Sequence, residues 1–192
     1  MEEKSMSKSG AVGKVAKSLF SGAKKWIIFG GAAVIFAGAA ITSYVFVFNQ
    51  PATPADQPVF APNAQIGILP GKTDEQIEEL LSKTIDENTI AFSINSNAVF
   101  ENARAKGNLM LESPSNNINY IEFVIRRNDT GDVLYRSGLL KPNQYILEDS
   151  LQTKTPLTKG SHECTADITL YDKETLQAKG MVQAALTITI KT

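Results

Sequence analysis

Asn119-Tyr-Ile-Glu-Phe-Val-Ile-Arg-Arg127 runs directly into Asn128-Asp-Thr-Gly131. Tyr120, Glu122, Val124 and Arg126 alternate with Ile121, Phe123 and Ile125, which is the two-residue period of a β-strand with one apolar face. Asn128, Asp129, Thr130 and Gly131 supply the residue types that turn a chain tightly, so a hairpin turn is expected there. Working outward, the same period recurs at residues 89–94, 107–112, 132–137, 144–148, 162–171 and 181–191, with a longer loop over 173–180. Seven short strands with no helix between them predict an all-β domain over residues 89–192, an antiparallel β-sandwich in which each sheet buries the apolar face of the other.

The start of the penultimate strand carries a second signal. Leu157-Thr-Lys-Gly160-Ser-His162-Glu-Cys164 reads like the Gly-x-Tyr-x-Cys pattern of immunoglobulin-type sandwiches, with His162 where the tyrosine would be. In those domains the tyrosine hydroxyl bonds back to the backbone at a corner of the sandwich, and a ring nitrogen of His162 can do the same. The partner cysteine and core tryptophan of antibody domains are missing, because Cys164 is the one cysteine and Trp26 the one tryptophan. Together with Tyr120-Ile-Glu-Phe-Val-Ile and Thr130-Gly-Asp-Val-Leu-Tyr-Arg-Ser-Gly-Leu-Leu-Lys-Pro142, this stretch resembles small single-pass surface proteins of Gram-positive bacteria with an immunoglobulin-like or fibronectin-like β-sandwich ectodomain. The resemblance covers residues 89–192. It implies a bacterial cell envelope and brings no catalytic motif.

Residues 27–48, IIFGGAAVIFAGAAITSYVFVF, contain no charged residue, Asn, Gln or Pro. As a helix such a run crosses a bilayer, since about 20 residues at ~1.5 Å each cover about 30 Å. Lys24 and Lys25 precede it, no basic residue follows for over twenty positions, and Trp26 and Tyr44 suit the interfaces. An N-terminus in the cytoplasm is therefore expected. Val45, Phe46, Val47 and Phe48 lack a small-residue cleavage step, which favours an uncleaved signal anchor. Residues 1–26 hold six of the nineteen basic residues and two of the twenty acidic ones, net +4, leaving the remainder at −5. The expected order is thus a basic cytoplasmic tail (1–26), a transmembrane helix (27–48), a Pro-rich extracellular spacer (49–72), a short amphipathic helix (73–88) and the sandwich. The helix starts at Thr73, whose pairing with Gln76 makes a capping box, and Asp74 and Glu75 suit its positive end.

Several functions fall away at this level. The acidic outer part has no basic stripe, so nucleic acid is not an expected partner. One cysteine excludes an intrachain disulfide, and with one histidine, His162, no His/Cys zinc site can be assembled. Asp129 and Asp132 are too few to require calcium. Gly67-Ile-Leu-Pro-Gly71-Lys72-Thr73 falls one residue short of a phosphate-binding loop and lacks the preceding strand. No metal, cofactor or catalytic residue is assigned. A Ser/His hydrolase would have to rest on His162 alone.

The reading is therefore a membrane-anchored, non-catalytic binding or structural module, engaging another envelope protein or polymer. An accessory subunit of a secretion or conjugation machine is the alternative, and an envelope hydrolase a remote one. Gly160, His162 and Cys164 form the expected structural corner. Candidate contact loops are residues 95–106 with Asn95 and Asn97, the turn with Asn128, Asp129 and Thr130, and residues 173–180 with Lys173 and Glu174.

Overall fold

The alternation that predicts a strand at residues 119–127 seats Ile121, Phe123 and Ile125 in the core, all fully buried, and the neighbouring strands are ordered around it. The computed structural model describes residues 58–82 and 85–192, together with the backbone of 41–46. All of these lie in one compact unit, Gly31–Thr192. In chain order the elements are β1 (Ile41–Phe46), β2 (Gln65–Ile66), α1 (Asp74–Ser82), β3 (Thr89–Ile94), β4 (Asn97–Phe100), β5 (Lys106–Gly107) and β6 (Leu111–Ser113). They continue with β7 (Tyr120–Arg127), β8 (Val133–Leu140), β9 (Gln144–Ile146), β10 (Asp149–Ser150), β11 (Gly160–Tyr171) and β12 (Ala178–Ile190).

These strands form two sheets, ordered β1-β3-β6-β9-β2 and β10-β5-β4-β12-β11-β7-β8. Ile90, Phe92, Ile94, Leu111 and Ile146 from the first share one core with Phe123, Ile125, Ile168, Leu186 and Ile188 from the second. Phe92 meets Phe123 edge to face with ring centroids 6.1 Å apart, a geometry that adds about 0.5–1.5 kcal/mol to the burial itself. The architecture is all-β in two sheets with one short helix. Among the described residues it departs from a purely antiparallel arrangement at the isolated Phe60–Leu139 bridge and at one ladder, where β12 pairs with β4 in parallel, Thr187 opposite Asn97 through Ile190 opposite Phe100. Residues 95–106, expected as a loop, thus contribute a strand. Ala98 and Phe100 are buried while Asn97 and Val99 are exposed, an alternation too short to stand out between asparagines.

The chain changes sheets at or beside two of the expected strands. Over residues 107–112 the chain leaves the second sheet after Gly107 and joins the first at Leu111, bending at Met110, whose φ is +51°. Of 144–148 only β9 lies in the first sheet, and the opposite crossing follows at once, with β10 joining the second sheet just past the expected strand. Both crossings are joined at the corner, where Met110 N–H donates to the Leu147 carbonyl at 3.0 Å. Bends of this kind let one strand serve both layers.

From residue 58 the expected spacer is part of this unit. Leu139 N–H donates to the Val59 carbonyl at 2.8 Å and Ala61 N–H to the Leu139 carbonyl at 2.9 Å, so residues 59–61 lie along the edge of β8. Close approach is possible because Gly138 has no side chain: a Cβ there would sit 2.7 Å from the Val59 carbonyl oxygen, and its φ of +75° also favours glycine. After a turn the chain pairs through β2 with β9 and buries Leu69. This strap thereby runs from the edge of one sheet to the edge of the other. Prolines 58, 62 and 70 read as an extended spacer because they interrupt periodicity, yet proline is equally at home on sheet edges.

Thr73 and Gln76 cap α1 reciprocally, with Thr73 N–H to Gln76 Oε1 at 2.9 Å and Gln76 N–H to Thr73 Oγ1 at 3.3 Å. Of the expected membrane helix, 41–46 form a strand paired antiparallel to β3, Ile41 opposite Ile94 through Phe46 opposite Thr89. The other positions of 27–48, the tail 1–26, residues 49–57 and residues 83–84 lie outside the described residues. Among the described residues no helix is long and apolar enough to cross a membrane.

Candidate functional site

Beneath the strap, on the face of the first sheet turned away from the core, three polar side chains meet. Ser93 of β3 and Glu112 of β6 are direct cross-strand partners. Lys72, just before the helix cap, reaches them from above. Its ammonium donates to Glu112 Oε2 and, at 3.3 Å, to Ser93 Oγ. Ser93 Oγ donates to the same carboxylate oxygen at 2.8 Å, and Leu69 N–H donates to Glu112 Oε1 at 3.0 Å. A hydroxyl, an amine and a carboxylate within hydrogen-bond reach are the ingredients of an activated nucleophile. Here they are sealed: the Lys72 side chain is 8% exposed and that of Glu112 1%, so no substrate reaches Ser93. The cluster acts as a clasp holding the strap and the start of α1 on the sheet. Sequence reasoning missed it because its three members lie far apart in the chain. The available signal was Glu112 at the end of an apolar strand pattern.

Two further buried carboxylates are likewise fully engaged. Glu122 accepts from Arg136 Nη1 at 2.8 Å and from the Tyr171 hydroxyl at 3.3 Å, and burial first, then the carboxylate, raises the Tyr171 pKa. Asp149 accepts from Asn63 Nδ2 at 2.9 Å and the Tyr135 hydroxyl at 3.0 Å, which ties the strap to β8 and β10. Burial, reinforced by the Asp149 charge, pushes Tyr135 far above the ordinary phenol range. Among the described residues no group of three or more His, Cys, Asp or Glu side chains is placed to hold a metal ion.

At the corner, Gly160 opens β11 at φ +128°, a conformation side chains rarely adopt. His162 Nε2 lies 2.8 Å from the Thr158 carbonyl oxygen. A carbonyl only accepts, so Nε2 carries a proton. Cys164 is fully buried, its thiol donates to the His162 carbonyl at 3.4 Å, and burial pushes its pKa up to about 11. A thiol in that setting is unreactive.

The candidate contact residues divide. Asn95 is buried and bridges Asn108 O and Asn97 N–H, making it an internal brace. Asn97 is exposed on β4. Asn128, Asp129 and Thr130 are exposed in the β7–β8 turn, which Asn128 fastens to β11 by accepting from Thr165 Oγ1 at 2.8 Å. Arg127, 2.6 Å away, holds the Asp129 carboxyl below its usual pKa. Lys173 and Glu174 are exposed in the β11–β12 loop, where Asp172 gathers the N–H groups of Glu174 and Thr175. The two turns lie at opposite ends of β11, which pairs Cys164 with Arg127 beside one and Tyr171 with Tyr120 beside the other.

The strap and its edge strand carry the clearest apolar exposure. Ile66, on β2, is 81% exposed and Val59 73%, with Phe60 and Ile68 also open. Phe60 is held edge-on against Tyr120 at 5.5 Å and beneath the Lys141 ammonium at 4.7 Å. Comparison of the chain with protein-family models, curated proteins and solved structures returns no match.

Proposed function

We propose that this chain is a membrane-anchored, single-pass cell-surface protein whose immunoglobulin-like β-sandwich binds another envelope protein or polymer without catalysing a reaction. The uncharged run at 27–48 behind Lys24 and Lys25 supports the anchor and its orientation. The His162 bond to the Thr158 carbonyl, at the place of the tyrosine corner, supports the immunoglobulin-like assignment.

The observation that carries the binding role is the exposed apolar strap. Ile66 sits on a two-residue edge strand, and bare edges and open apolar side chains are features that proteins ordinarily blunt unless they are used. A photo-crosslinking residue placed at Ile66 or Val59 of the full chain in intact cells is expected to capture one reproducible envelope component, and Ile66→Lys to abolish capture from Val59. Equal capture from the exposed Glu101, or capture that survives Ile66→Lys, refutes the assignment. Protease shaving of the same cells reads topology: residues beyond Asn49 should be removed while the lysine-rich tail is protected.

A further inference from the structure

Ile41–Phe46 is claimed by two environments. Its β-branched and aromatic residues, Ile41, Thr42, Tyr44, Val45 and Phe46, suit a strand, and its lack of charge suits a bilayer. The two placements exclude each other. With 41–46 on β3, the uncharged run that precedes it shrinks to residues 27–40, which as a helix would cover about 21 Å against the ~30 Å of a hydrocarbon core.

The edge that β1 covers is otherwise complete. Ala91 directs its N–H and carbonyl to the side chain of Asn117, at 2.9 and 2.7 Å, and Asn95 N–H goes to the Leu109 carbonyl on the same side. Backbone groups alternate across a strand, so those of Ile90, Phe92 and Ile94 face β1. When β1 leaves, these three donor–acceptor pairs lie bare beside a finished core.

We propose that the edge of β3 is a strand-acceptor site, filled by the chain's own Ile41–Phe46 when that segment is outside the bilayer, and opened by membrane insertion to accept an uncharged, β-branched extended strand of a partner. The proposal rests on the anchored reading above. Main-chain pairing supplies affinity in such β-augmentation, and the sequence of the segment paired here, uncharged and rich in β-branched residues, sets the composition expected of a partner strand.

The test uses the full chain with Cys164→Ala and cysteine pairs placed in register. Ala91 faces Asn117, so its pair with Tyr44 is a non-hydrogen-bonded one, with α-carbons near 4.5 Å, within disulfide reach. Tyr44→Cys/Ala91→Cys and Phe46→Cys/Thr89→Cys are the in-register variants, the second serving if the buried Ala91 does not tolerate change. Tyr44→Cys/Thr89→Cys is the out-of-register control. In chain synthesised without lipid, in-register pairs should close on oxidation and the control should not. In chain inserted into liposomes, closure should fall to the control level. A lysine-flanked peptide Ile-Thr-Ser-Tyr-Val-Phe should bind the inserted chain and not the disulfide-locked one. Closure that persists in inserted chain, no closure without lipid, disulfides that form only between copies, or equal peptide binding by locked chain would overturn the proposal. Alkaline extraction of the liposomes reads the anchor separately: chain that washes off refutes the anchor, whereas closure without lipid still reports the β3 site.

Discussion

Replacing Lys72 by Met tests whether the clasp fastens the strap. Lys72 and Glu112 are an ion pair almost closed to water, so the discount for solvent screening that applies to surface pairs does not apply. Lys72→Met leaves the Glu112 carboxylate with Leu69 N–H at 3.0 Å and Ser93 Oγ at 2.8 Å, two neutral donors in place of an ammonium. Breaking a buried pair from one side costs about 3–5 kcal/mol. For a domain of this size that corresponds to a fall in Tm of roughly 10–15 °C. Adding Glu112→Gln removes the stranded charge, keeps one oxygen for Leu69 N–H and turns an amide N–H toward Ser93 Oγ, which then accepts, so the double variant should recover more than half of the loss. The assay is urea unfolding of the full chain followed by circular dichroism, with unchanged slope as the check that only stability moved. A loss below about 1 kcal/mol would place Lys72 among ordinary surface pairs. A double variant as unstable as the two single losses added would refute the clasp, because coupled partners must show non-additivity.

Gly138→Ala should loosen the strap, since a Cβ at φ +75° costs about 1–3 kcal/mol and also meets the Val59 carbonyl at 2.7 Å; faster hydrogen exchange at Ala61 and Leu139, with the β11–β12 hairpin unchanged, is the expected result. His162→Ala should cost about 1 kcal/mol through the bond to the Thr158 carbonyl, measured by denaturant titration, and His162→Gln should restore part of it. Cys164, with its thiol pKa raised to about 11 by burial, should resist a thiol reagent at pH 8 in the folded chain and react fully once unfolded. Asp129, held down by Arg127, and Asp172, held down by the N–H groups of Thr175 and Glu174, should titrate by carboxyl NMR below the ordinary aspartate value. Because their folded pKa values are lowered, whatever they add to stability is present above the unfolded value of about 3.9 and is lost as pH falls through the folded one.

The elements legible in the sequence are those where one local rule dominates. The two-residue period of 89–94 predicts a strand that coincides with β3, and the alternation around Phe123 and the capping box at Thr73 and Gln76 point to β7 and α1. The rest is set by distant partners. Nothing local to Gly107-Asn-Leu-Met-Leu-Glu112 announces that the chain changes sheets at Met110, because Leu109 and Leu111 are both buried whichever layer they serve. Nothing local to Asn97–Phe100 announces a parallel partner more than eighty residues away in β12. The strap is the same case: its prolines punctuate the pattern, and only Gly138, remote in sequence, makes the edge of β8 receptive.

The polar residues of the site were hidden for a different physical reason. A sequence shows acids and bases as surface chemistry by default, since charged side chains are seldom fully buried unless paired. Glu112, Glu122 and Asp149 are buried because Lys72, Arg136, Asn63 and two tyrosines arrive from elsewhere in the chain to engage them. Two of these arrivals, Lys72 and Asn63, come from the segment that would connect an anchor to its ectodomain. In an anchored chain, with Ile41–Phe46 in the bilayer, a pull on that segment would load the bonds of residues 59–61 to β8, then the Asn63–Asp149 bond and the Lys72–Glu112 pair, before it reached the core. A passive spacer would instead pass the tension straight to residues 89–94, the first strand expected of the sandwich.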